Sequence, residues 1–386
     1  MTRARRRHRV AVITGTRAEY GALQSIIEAI DAEPRLDLRI VACGMHLLPR
    51  FGSTINDIRR DGWPIAARVR MQRGDDSPGD QAAGLARGVD GIARFLLRDK
   101  TDIVVVLGDR IEAMAGALAG ATTGALIAHI HGGDVAPGDF DDSLRHAITR
   151  LAHIHFAATP IAARRLHHMG EAAERIHVVG APGLDHLIQL RGAWRSKPEL
   201  PAEVSDLGPY ALIVQHAHGR SAAVERRVAR MICDEVARAG LARVIIYPNT
   251  DRGGSGVIAA IEAHAKRRPR DTRVFKSLPR DAFLRALFGA RALVGNSSSG
   301  IIEAPAARTP SVNVGDRQKG RDVGGKSVIN ATESAASVRA ALRKAVAMRP
   351  RAASQIYGNG RAGERIARKL ATIAITPELL RKHFNI

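Results

Sequence analysis

Short runs of apolar residues alternate along the chain with longer segments in which apolar residues recur at helical spacing. The short aliphatic and β-branched runs are typical of buried strands, and the longer segments are typical of amphipathic helices. Strands and helices in such alternation predict parallel, doubly wound α/β sheets. The predicted strands are Val10–Thr14, Asp37–Cys43, Ile103–Leu107, Ala125–Ile130, a run ending at Thr159, Ile176–Val179, Tyr210–Val214, Arg243–Tyr247, Ala292–Val294, Ser311–Val314 and a run beginning at Val328; Val274–Phe275 opens a further short segment.

Helical spacing is clearest in the segments that follow these strands. Residues 64–80, which are rich in Arg, Asp, Gly and Ser, lack that spacing and are predicted to form a loop. The predicted helices are Ala22–Ala32, Phe51–Gly62, Gln81–Arg98, Glu225–Ala239, Val257–Arg267, Arg280–Gly289, Ala335–Met348 and Arg361–Ala371.

A segment rich in charge and Pro, Arg191–Pro201, interrupts the alternation, which then starts again. The length of 386 residues also favours two domains. We therefore expect two Rossmann-like domains, residues 1–185 and 186–360, facing each other across a cleft. The final helix, within residues 361–386, is expected to pack back on the first domain.

The net charge of +21 raises the possibility of a nucleic-acid partner. The charge is dispersed, however, apart from a basic run at residues 1–9, and aromatic residues make up only 4% of the chain. Stacking on bases needs more aromatic side chains than this. The composition instead favours a small anionic ligand, with no nucleic acid as partner.

Two cysteines, Cys43 and Cys233, lie far apart in apolar runs and are expected to be reduced core residues. No apolar run has the length of a membrane span. These features predict a cytoplasmic protein without a membrane partner. The Gly turn at Gly15 is not a GxGxxG motif, so no dinucleotide cofactor is expected.

Ionisable side chains are concentrated where two predicted strands of the first domain end and a helix begins. Because ligands bind at the carboxyl ends of parallel strands, these side chains predict a site. Carboxylates held close together shift each other's pKa values and provide an acid and a base. Alternatives are a hard-cation site for the cluster and a helix-capping role for Asp142, although the spacing favours no metal. The cluster comprises Asp109, His131, Asp134, Asp141, Asp142, Arg145 and His146.

In the second half, a Gly-Ser loop at residues 295–300 leads into a helix. Ser297, Ser298 and Ser299 could donate hydrogen bonds to a diphosphate, and Arg317 and Arg321 could neutralise it. Glu303 could accept hydrogen bonds from ribose hydroxyls. The alternatives are a serine-rich turn with a helix cap and, for Glu303, a favourable charge in a first helical turn.

Several motifs together resemble those of the UDP-N-acetylglucosamine 2-epimerases, and the resemblance covers nearly the whole chain. The central DDSLRHAITRLAH run is most similar to that of the hydrolysing branch. The motifs are GTRAEYG (15–21), GMHLLPRFG (44–52), LGDRIEA (107–113), HIHGGD to HIHF (129–156), VVGAPGLD (178–185), QH (215–216), YPNTD (247–251), GNSSSGIIE (295–303) and GDRQKGR (315–321).

This resemblance implies a GT-B type fold and elimination of UDP to a 2-acetamidoglucal, which water converts to a free sugar inverted at C2. Asp109 and Asp141 would be acid/base groups, and His216 would lie near the diphosphate. Some relatives have Glu where this chain has His131 and Asp134, so these two are catalytic candidates with an altered chemistry. Residues that would bind the substrate are Arg17, Arg110, Asp142, Arg145, His146, Asn249, Ser297, Ser298, Ser299, Glu303, Arg317 and Arg321.

The implied substrate is UDP-N-acetylglucosamine or a related UDP-2-acetamido sugar, including 2,4-diacetamido sugars. A non-hydrolysing 2-epimerase and a GT-B glycosyltransferase are the alternative activities. The resemblance also implies a homodimer or homotetramer.

Overall fold

The structure is a computed structural model that describes residues 7–73, 77–135, 141–249 and 251–382. Residues 1–6 of the basic run, 74–76 of the predicted loop, and residues 136–140 and 250 of the quoted motifs lie outside this description. The chain divides into two units. The first unit comprises residues 1–134, 140–185 and 358–386, and the second comprises residues 135–139 and 186–357.

Each unit has one sheet, and every strand pair in both sheets is parallel. Among the described residues the strand order is β3-β2-β1-β4-β5-β6-β7 in the first unit and β10-β9-β8-β11-β12-β13 in the second. This arrangement confirms the predicted α/β class with doubly wound sheets. The strands are β1 (His8–Thr14), β2 (Leu36–Cys43), β3 (Ile65–Val69), β4 (Ile103–Leu107), β5 (Leu126–Ile130), β6 (Ile154–Ala157), β7 (Ile176–Val178), β8 (Tyr210–Val214), β9 (Ala242–Ile246), β10 (Thr272–Phe275), β11 (Ala292–Gly295), β12 (Ser311–Val314) and β13 (Val328–Ala331).

Helices follow most strands, as the alternation predicts. Among the described residues, no helix is both long and apolar enough to cross a membrane. The helices are α1 (Arg17–Asp31), α2 (Ile55–Arg60), α3 (Pro78–Asp99), α4 (Ile111–Thr123), α5 (Asp141–Leu151), α6 (Pro160–His168), α7 (Gly183–Ser196), α8 (Ala222–Arg238), α9 (Gly254–Arg267), α10 (Arg280–Gly289), α11 (Glu303–Ala307), α12 (Ala335–Ala347), α13 (Ala362–Thr372) and α14 (Pro377–Leu380).

The core of the first unit lies on both faces of its sheet. On one face, apolar residues of α1 and α13 pack against β1 and β4. On the other face, α4 lies close to the sheet because it carries Gly116: a Cβ there would come within 2.9 Å of Ile13 and Val106 side-chain atoms. This close approach brings the middle of α4, the helix that follows the turn after β4, against the sheet.

Two sequence predictions about this unit are wrong. Residues 64–80 are not all loop, because β3 forms an edge strand whose exposed alternate positions, Ala66 and Arg68, hide it from a search for apolar runs. Helix α1 begins at Arg17 rather than near Ala22. It does so because Thr16 caps the helix and accepts a hydrogen bond from the Glu19 N–H, while the Glu19 side chain accepts from the Thr16 N–H.

Candidate active site

The turn that carries Asp109 is held from below by a buried histidine. Gly108 adopts φ +76° directly after β4, and its carbonyl accepts a 2.8 Å hydrogen bond from Nε2 of His129 on β5. Because a carbonyl only accepts, Nε2 carries the proton, and Nδ1 accepts from the Thr149 hydroxyl on α5 at 3.3 Å. Burial lowers the pKa of His129 well below its usual value. His129 is therefore neutral, and its hydrogen bond to Gly108 holds the turn that carries Asp109 in place.

Asp109 forms an ion pair with Arg145, which lies on α5 and is 2% exposed. The same guanidinium donates a 2.8 Å hydrogen bond from Nη1 to the His131 carbonyl, and its Nε lies 3.9 Å from Asp142 Oδ1. One buried cation thus ties together three parts of the predicted cluster.

The charge on Arg145 is strongly favoured. Burial acts to lower its pKa, but the negative charges of Asp109, Asp134, Asp142 and Asp141 outweigh burial and raise the pKa above its ordinary value. A permanent cation at this position stabilises negative charge on whatever lies beside it.

His131 and Asp134 form a hydrogen-bonded pair at the end of β5. The His131 Nδ1 lies 2.9 Å from Asp134 Oδ2, and Asp134 is 2% exposed. His131 adopts a left-handed backbone conformation, φ +64°, which is uncommon for a residue other than glycine. Its N–H donates to the Phe156 carbonyl at 3.0 Å, which holds this conformation. An imidazole oriented by a carboxylate presents its Nε2 for proton transfer.

The remaining acidic residues of the cluster open α5. Asp141 and Asp142 are both half-buried in its first turn. The alternative in which Asp142 caps a helix is wrong, because Asp142 lies inside α5 as its second residue. His146, one turn later, has a buried Nδ1 that makes no hydrogen bond within the described part of the chain.

Two arginines predicted to bind substrate contact carboxylates of their own unit. Arg17 lies 2.7 Å from Asp57, and burial lowers its pKa although the Asp57 charge opposes this shift. Arg110 Nε lies 3.4 Å from Oε2 of the fully buried Glu112. Asp109 forms its ion pair with Arg145 instead.

In the second unit, the loop after β8 presents His216. The Asn296 side chain makes two hydrogen bonds to the His216 backbone, accepting from its N–H at 2.8 Å and donating to its carbonyl at 2.9 Å. His216 Nδ1 accepts from the Asn249 N–H at 3.3 Å. In the neutral ring, the proton therefore lies on Nε2, which can donate to an anion.

The Gly-Ser loop makes its turn with internal hydrogen bonds. Ser297 Oγ accepts from the Ser299 N–H at 3.3 Å and caps a single 3₁₀ turn that begins at Ser298. Gly295 adopts φ +138°, and a Cβ there would come within 2.2 Å of the Val214 carbonyl. Only glycine fits at this point, which lets β11 end against β8.

Three charged candidates make polar contacts within the second unit. Glu303 forms an ion pair with Arg280. Arg317 donates to the Asn296 carbonyl at 3.4 Å and lies 3.8 Å from Asp251. Arg321 donates to the Val135 carbonyl at 3.2 Å.

A cation site was the alternative for the acidic cluster. Within the described ranges, no group of three or more His, Cys, Asp or Glu side chains is placed to hold a metal ion.

Comparison with known proteins identifies the family. The family model of UDP-N-acetylglucosamine 2-epimerase matches residues 28–371. The chain belongs to this family. The match confirms the resemblance carried by the sequence motifs.

Two relatives show the range of activities named within the family. The chain is 30% identical over 374 residues to UDP-N,N'-diacetylbacillosamine 2-epimerase (hydrolyzing) of Legionella pneumophila, covering 97% of this chain and 98% of that protein. It is 32% identical over 356 residues to a UDP-N-acetylglucosamine 2-epimerase of Neisseria meningitidis, covering 91% of each.

Solved structures of the family share the fold. The UDP-GlcNAc 2-epimerase of Methanocaldococcus jannaschii, crystallised with UDP-GlcNAc and UDP, matches with a TM-score of 0.77 at 20% identity, covering 94% of this chain and 99% of that one. A UDP-GlcNAc 2-epimerase of N. meningitidis, crystallised with UDP-GlcNAc, matches with a TM-score of 0.75 at 14% identity, covering 94% and 99%.

Sequence reasoning missed a pair of buried carboxyl groups beside the Gly15 turn. Glu112 is fully buried, and a Cβ on Gly15 or Gly44 would come within 2.3–2.4 Å of its side-chain atoms. Burial raises the pKa of Glu19 to about 8; the hydrogen bond from Gly15 opposes this shift and the charge of Glu112 reinforces it. The Thr-x-x-Glu spacing of a capping box was a signal that could have found Glu19.

Asn296 is the other missed residue. It stands in the Gly-Ser loop, where the serines drew attention as phosphate donors, but its amide binds the His216 backbone. A lone Asn carries no sequence signal for such a long-range contact.

Proposed function

We propose that the protein is a hydrolysing UDP-N-acetylglucosamine 2-epimerase. It would convert UDP-GlcNAc, or a related UDP-2-acetamido sugar, and water into UDP and a free sugar of the N-acetylmannosamine type. The observation that supports the proposal is the Asp109–Arg145 ion pair beside the His131–Asp134 pair: a carboxylate and an imidazole, both able to exchange protons, lie around one buried cation.

The reaction needs two proton transfers at C2. In the first step, a base removes the C2 proton, the C1–O bond to the diphosphate breaks, and its electron pair leaves with UDP. A C1–C2 double bond remains. In the second step, an acid delivers a proton to C2 on the opposite face, and water bonds to C1 through its oxygen while giving up one proton to a base, which yields the free 2-epimer.

The cluster of the first unit supplies groups for both transfers. Asp109, whose carboxylate binds Arg145, is proposed to exchange one proton at C2. His131, oriented by Asp134, is proposed to present Nε2 for the other transfer, with Asp141 as a further acid/base group in the first turn of α5. Opposite protonation states in neighbouring groups are what such a reaction requires.

The second unit carries donors suited to UDP. His216, with its proton on Nε2, is proposed to donate to the departing diphosphate, and Arg317 is proposed to bind the UDP moiety. Ser297, Ser298 and Ser299 would bind phosphate oxygens, and Glu303 would accept from ribose hydroxyls while paired with Arg280.

The decisive assay follows UDP-GlcNAc by proton NMR in D₂O. Formation of UDP and free N-acetylmannosamine carrying deuterium at C2 supports the proposal. Formation of UDP-N-acetylmannosamine would support the non-hydrolysing alternative, and UDP release only with an added sugar acceptor would support a glycosyltransferase. The Asp109→Asn variant is the matched control for background hydrolysis.

A second substrate belongs in the same assay. The Legionella relative, which the chain matches over 97% of its length, is named for UDP-N,N'-diacetylbacillosamine. Turnover of that sugar but not of UDP-GlcNAc would assign the diacetamido substrate. No turnover of either sugar would overturn the proposed function. We also propose that the protein is cytoplasmic and forms a homodimer or homotetramer. Light scattering of the purified protein measures the oligomeric state.

A further inference from the structure

The last described segment of the chain docks on the first unit through backbone hydrogen bonds. Arg175, just before β7, donates to the Leu379 carbonyl at 2.8 Å. His153, just before β6, donates from Nε2 to the Leu380 carbonyl at 3.2 Å, while its Nδ1 accepts from the Ile127 N–H at 2.9 Å. These hydrogen bonds hold the segment of residues 377–382 against the first unit.

This docking places Lys382 at the carboxyl end of α5. Its Nζ donates to the carbonyls of Thr149, Arg150 and Ala152 at 2.7, 3.1 and 2.8 Å. It also lies 2.7 Å from Oε2 of Glu171, whose side chain is fully buried. The last carbonyls of a helix lack partners within the helix and carry partial negative charge, so an ammonium group stabilises that end.

The capped turn leads directly to the candidate active site. Thr149, whose carbonyl binds Lys382, donates through its hydroxyl to His129 at 3.3 Å. His129 in turn donates to the Gly108 carbonyl at 2.8 Å, and Asp109 is the next residue. Arg145 lies one helical turn before Thr149 and forms the ion pair with Asp109. The turn of α5 that Lys382 caps thus contacts the Asp109 turn through Thr149 and His129, and the preceding turn of α5 contacts Asp109 through Arg145.

We propose that Lys382 is a positioning residue for Asp109, acting through the carboxyl-terminal turn of α5. This inference rests on the proposed function, in which Asp109 exchanges a proton at C2. Lys382 does not touch the substrate. It keeps Thr149, and through it His129, at the distance that orients the Asp109 turn.

The charge of Lys382 is poised to change in mildly alkaline solution. Burial lowers its pKa to about 8, although Glu171 opposes this shift. Arg150 and Arg175 face the same ammonium group, and their charges also favour its neutral form. As pH rises through about 8, the cap therefore loses its charge.

The neighbouring groups of Lys382 do not titrate in that range. Burial lowers the pKa of His153 to about 4 and also lowers that of His155, so both rings are neutral. Burial acts to raise the pKa of Glu171, but hydrogen bonds from His155 and Lys382 outweigh it and lower that pKa. Glu171 thus stays ionised, and Lys382 is the group of this cluster that changes.

The test is Lys382→Met, measured for kcat and KM on UDP-GlcNAc over pH 6–9 and for UDP binding by calorimetry. We expect kcat at pH 7 to fall about tenfold, since small displacements of a catalytic group are costly, with KM and the UDP Kd changed less than about twofold. In the unaltered enzyme we expect kcat to fall above pH about 8, and this fall should be absent in Lys382→Met. Lys382→Arg, which keeps the charge, should recover most of kcat.

Matched variants separate this role from general stability. Lys344→Met, at an exposed lysine in the last turn of α12, should leave kcat and its pH profile unchanged. Thr149→Val removes only the hydroxyl link to His129 and should lower kcat while the melting temperature stays high. Unaltered kcat in either Lys382→Met or Thr149→Val would overturn the proposal, because each variant removes one link of the path to Asp109. If Lys382→Met fails to fold, Thr149→Val still tests its link to His129.

A readout independent of turnover distinguishes this proposal from the proposed function. Lys382→Met should speed hydrogen–deuterium exchange at the amides of residues 149–152 and 107–110. If the unaltered protein converts no UDP-sugar, the proposed function fails, while faster exchange at both segments still supports the coupling. Exchange that rises in α5 but not around Gly108 would overturn the coupling itself.

Discussion

The Asn296 side chain binds the backbone of His216 rather than its imidazole ring. The Asn296 carboxamide accepts from the His216 N–H at 2.8 Å and donates to the His216 carbonyl at 2.9 Å. These two hydrogen bonds satisfy the backbone of His216 much as a neighbouring strand would, and they hold the loop after β8 in place. The ring is oriented separately by the Asn249 N–H. The position of the His216 backbone therefore depends on Asn296, and the orientation of its ring depends on the Asn249 N–H.

Asn296→Ala should lower kcat by about 10- to 100-fold, the scale of a misplaced catalytic group. Asn296→Asp keeps the acceptor but loses the donor to the His216 carbonyl, and it should fall between Ala and the unaltered enzyme. Steady-state kinetics on UDP-GlcNAc measures both. Asn330→Ala, at an exposed position on β13, is the control. Equal rates for Asn296→Ala and this control would remove Asn296 from the positioning of His216.

Asp109→Asn should reduce turnover by about 100-fold or more, the usual scale for loss of an acid or base. Asp141→Asn should do the same. Calorimetry should show UDP binding retained in both, because the proposed UDP donors belong to the second unit. Asp90→Asn, at an exposed ion pair on α3, controls for loss of one negative charge. Near-normal rates in both variants would show that the acid/base assignment is wrong.

Asp134→Asn tests the pair with His131. The amide oxygen can still accept from Nδ1, so the ring keeps its place while the carboxylate charge is lost. We expect turnover to fall by about 10- to 100-fold with little change in melting temperature. An unchanged rate would exclude the His131–Asp134 pair from proton transfer and leave it a role in holding the left-handed turn.

Glu19→Gln should alter how stability depends on pH. The pKa of Glu19 is raised to about 8 in the folded protein, so between pH about 4.5 and 8 the folded state keeps a proton that the unfolded chain has released. The stability gained from this proton is complete below pH about 4.5. It is lost at roughly 1.4 kcal/mol per pH unit as pH rises to 8.

Because glutamine cannot titrate, the Glu19→Gln protein should lack this slope. Urea unfolding at several pH values between 5 and 9 measures it, with Glu28→Gln on the exposed side of α1 as the control. The same slope in both variants would show that Glu19 is not the group responsible.

Arg317→Ala should mainly weaken UDP binding, by about tenfold or about 1.4 kcal/mol, since Arg317 is proposed to pair with the diphosphate. Ser298→Ala should act in the same direction. Calorimetry with UDP measures both, and Arg343→Ala on the exposed side of α12 is the control. Loss of kcat with unchanged UDP affinity would show that Arg317 contributes to catalysis rather than to UDP binding.

The hydrophobic pattern predicted the sheets because most of their strands are buried on both faces. β4 and β8 appear as unbroken apolar runs for that reason. β3 was missed because it is a half-exposed edge strand, in which Ala66 and Arg68 face solvent. Its pairing with β2, rather than its own composition, makes it a strand.

The sequence by itself determined which residue types follow which strands. Asp109 and His131 could be placed at one edge of the sheet because parallel strands bring their carboxyl ends together. Only the tertiary structure decided their partners: Arg145 binds Asp109, Asn296 binds His216, and Lys382 caps α5 from more than 200 residues away along the chain. Hydrogen bonds and ion pairs act over a few ångströms in space, and periodicity along a chain does not encode which distant side chains the fold brings within that distance.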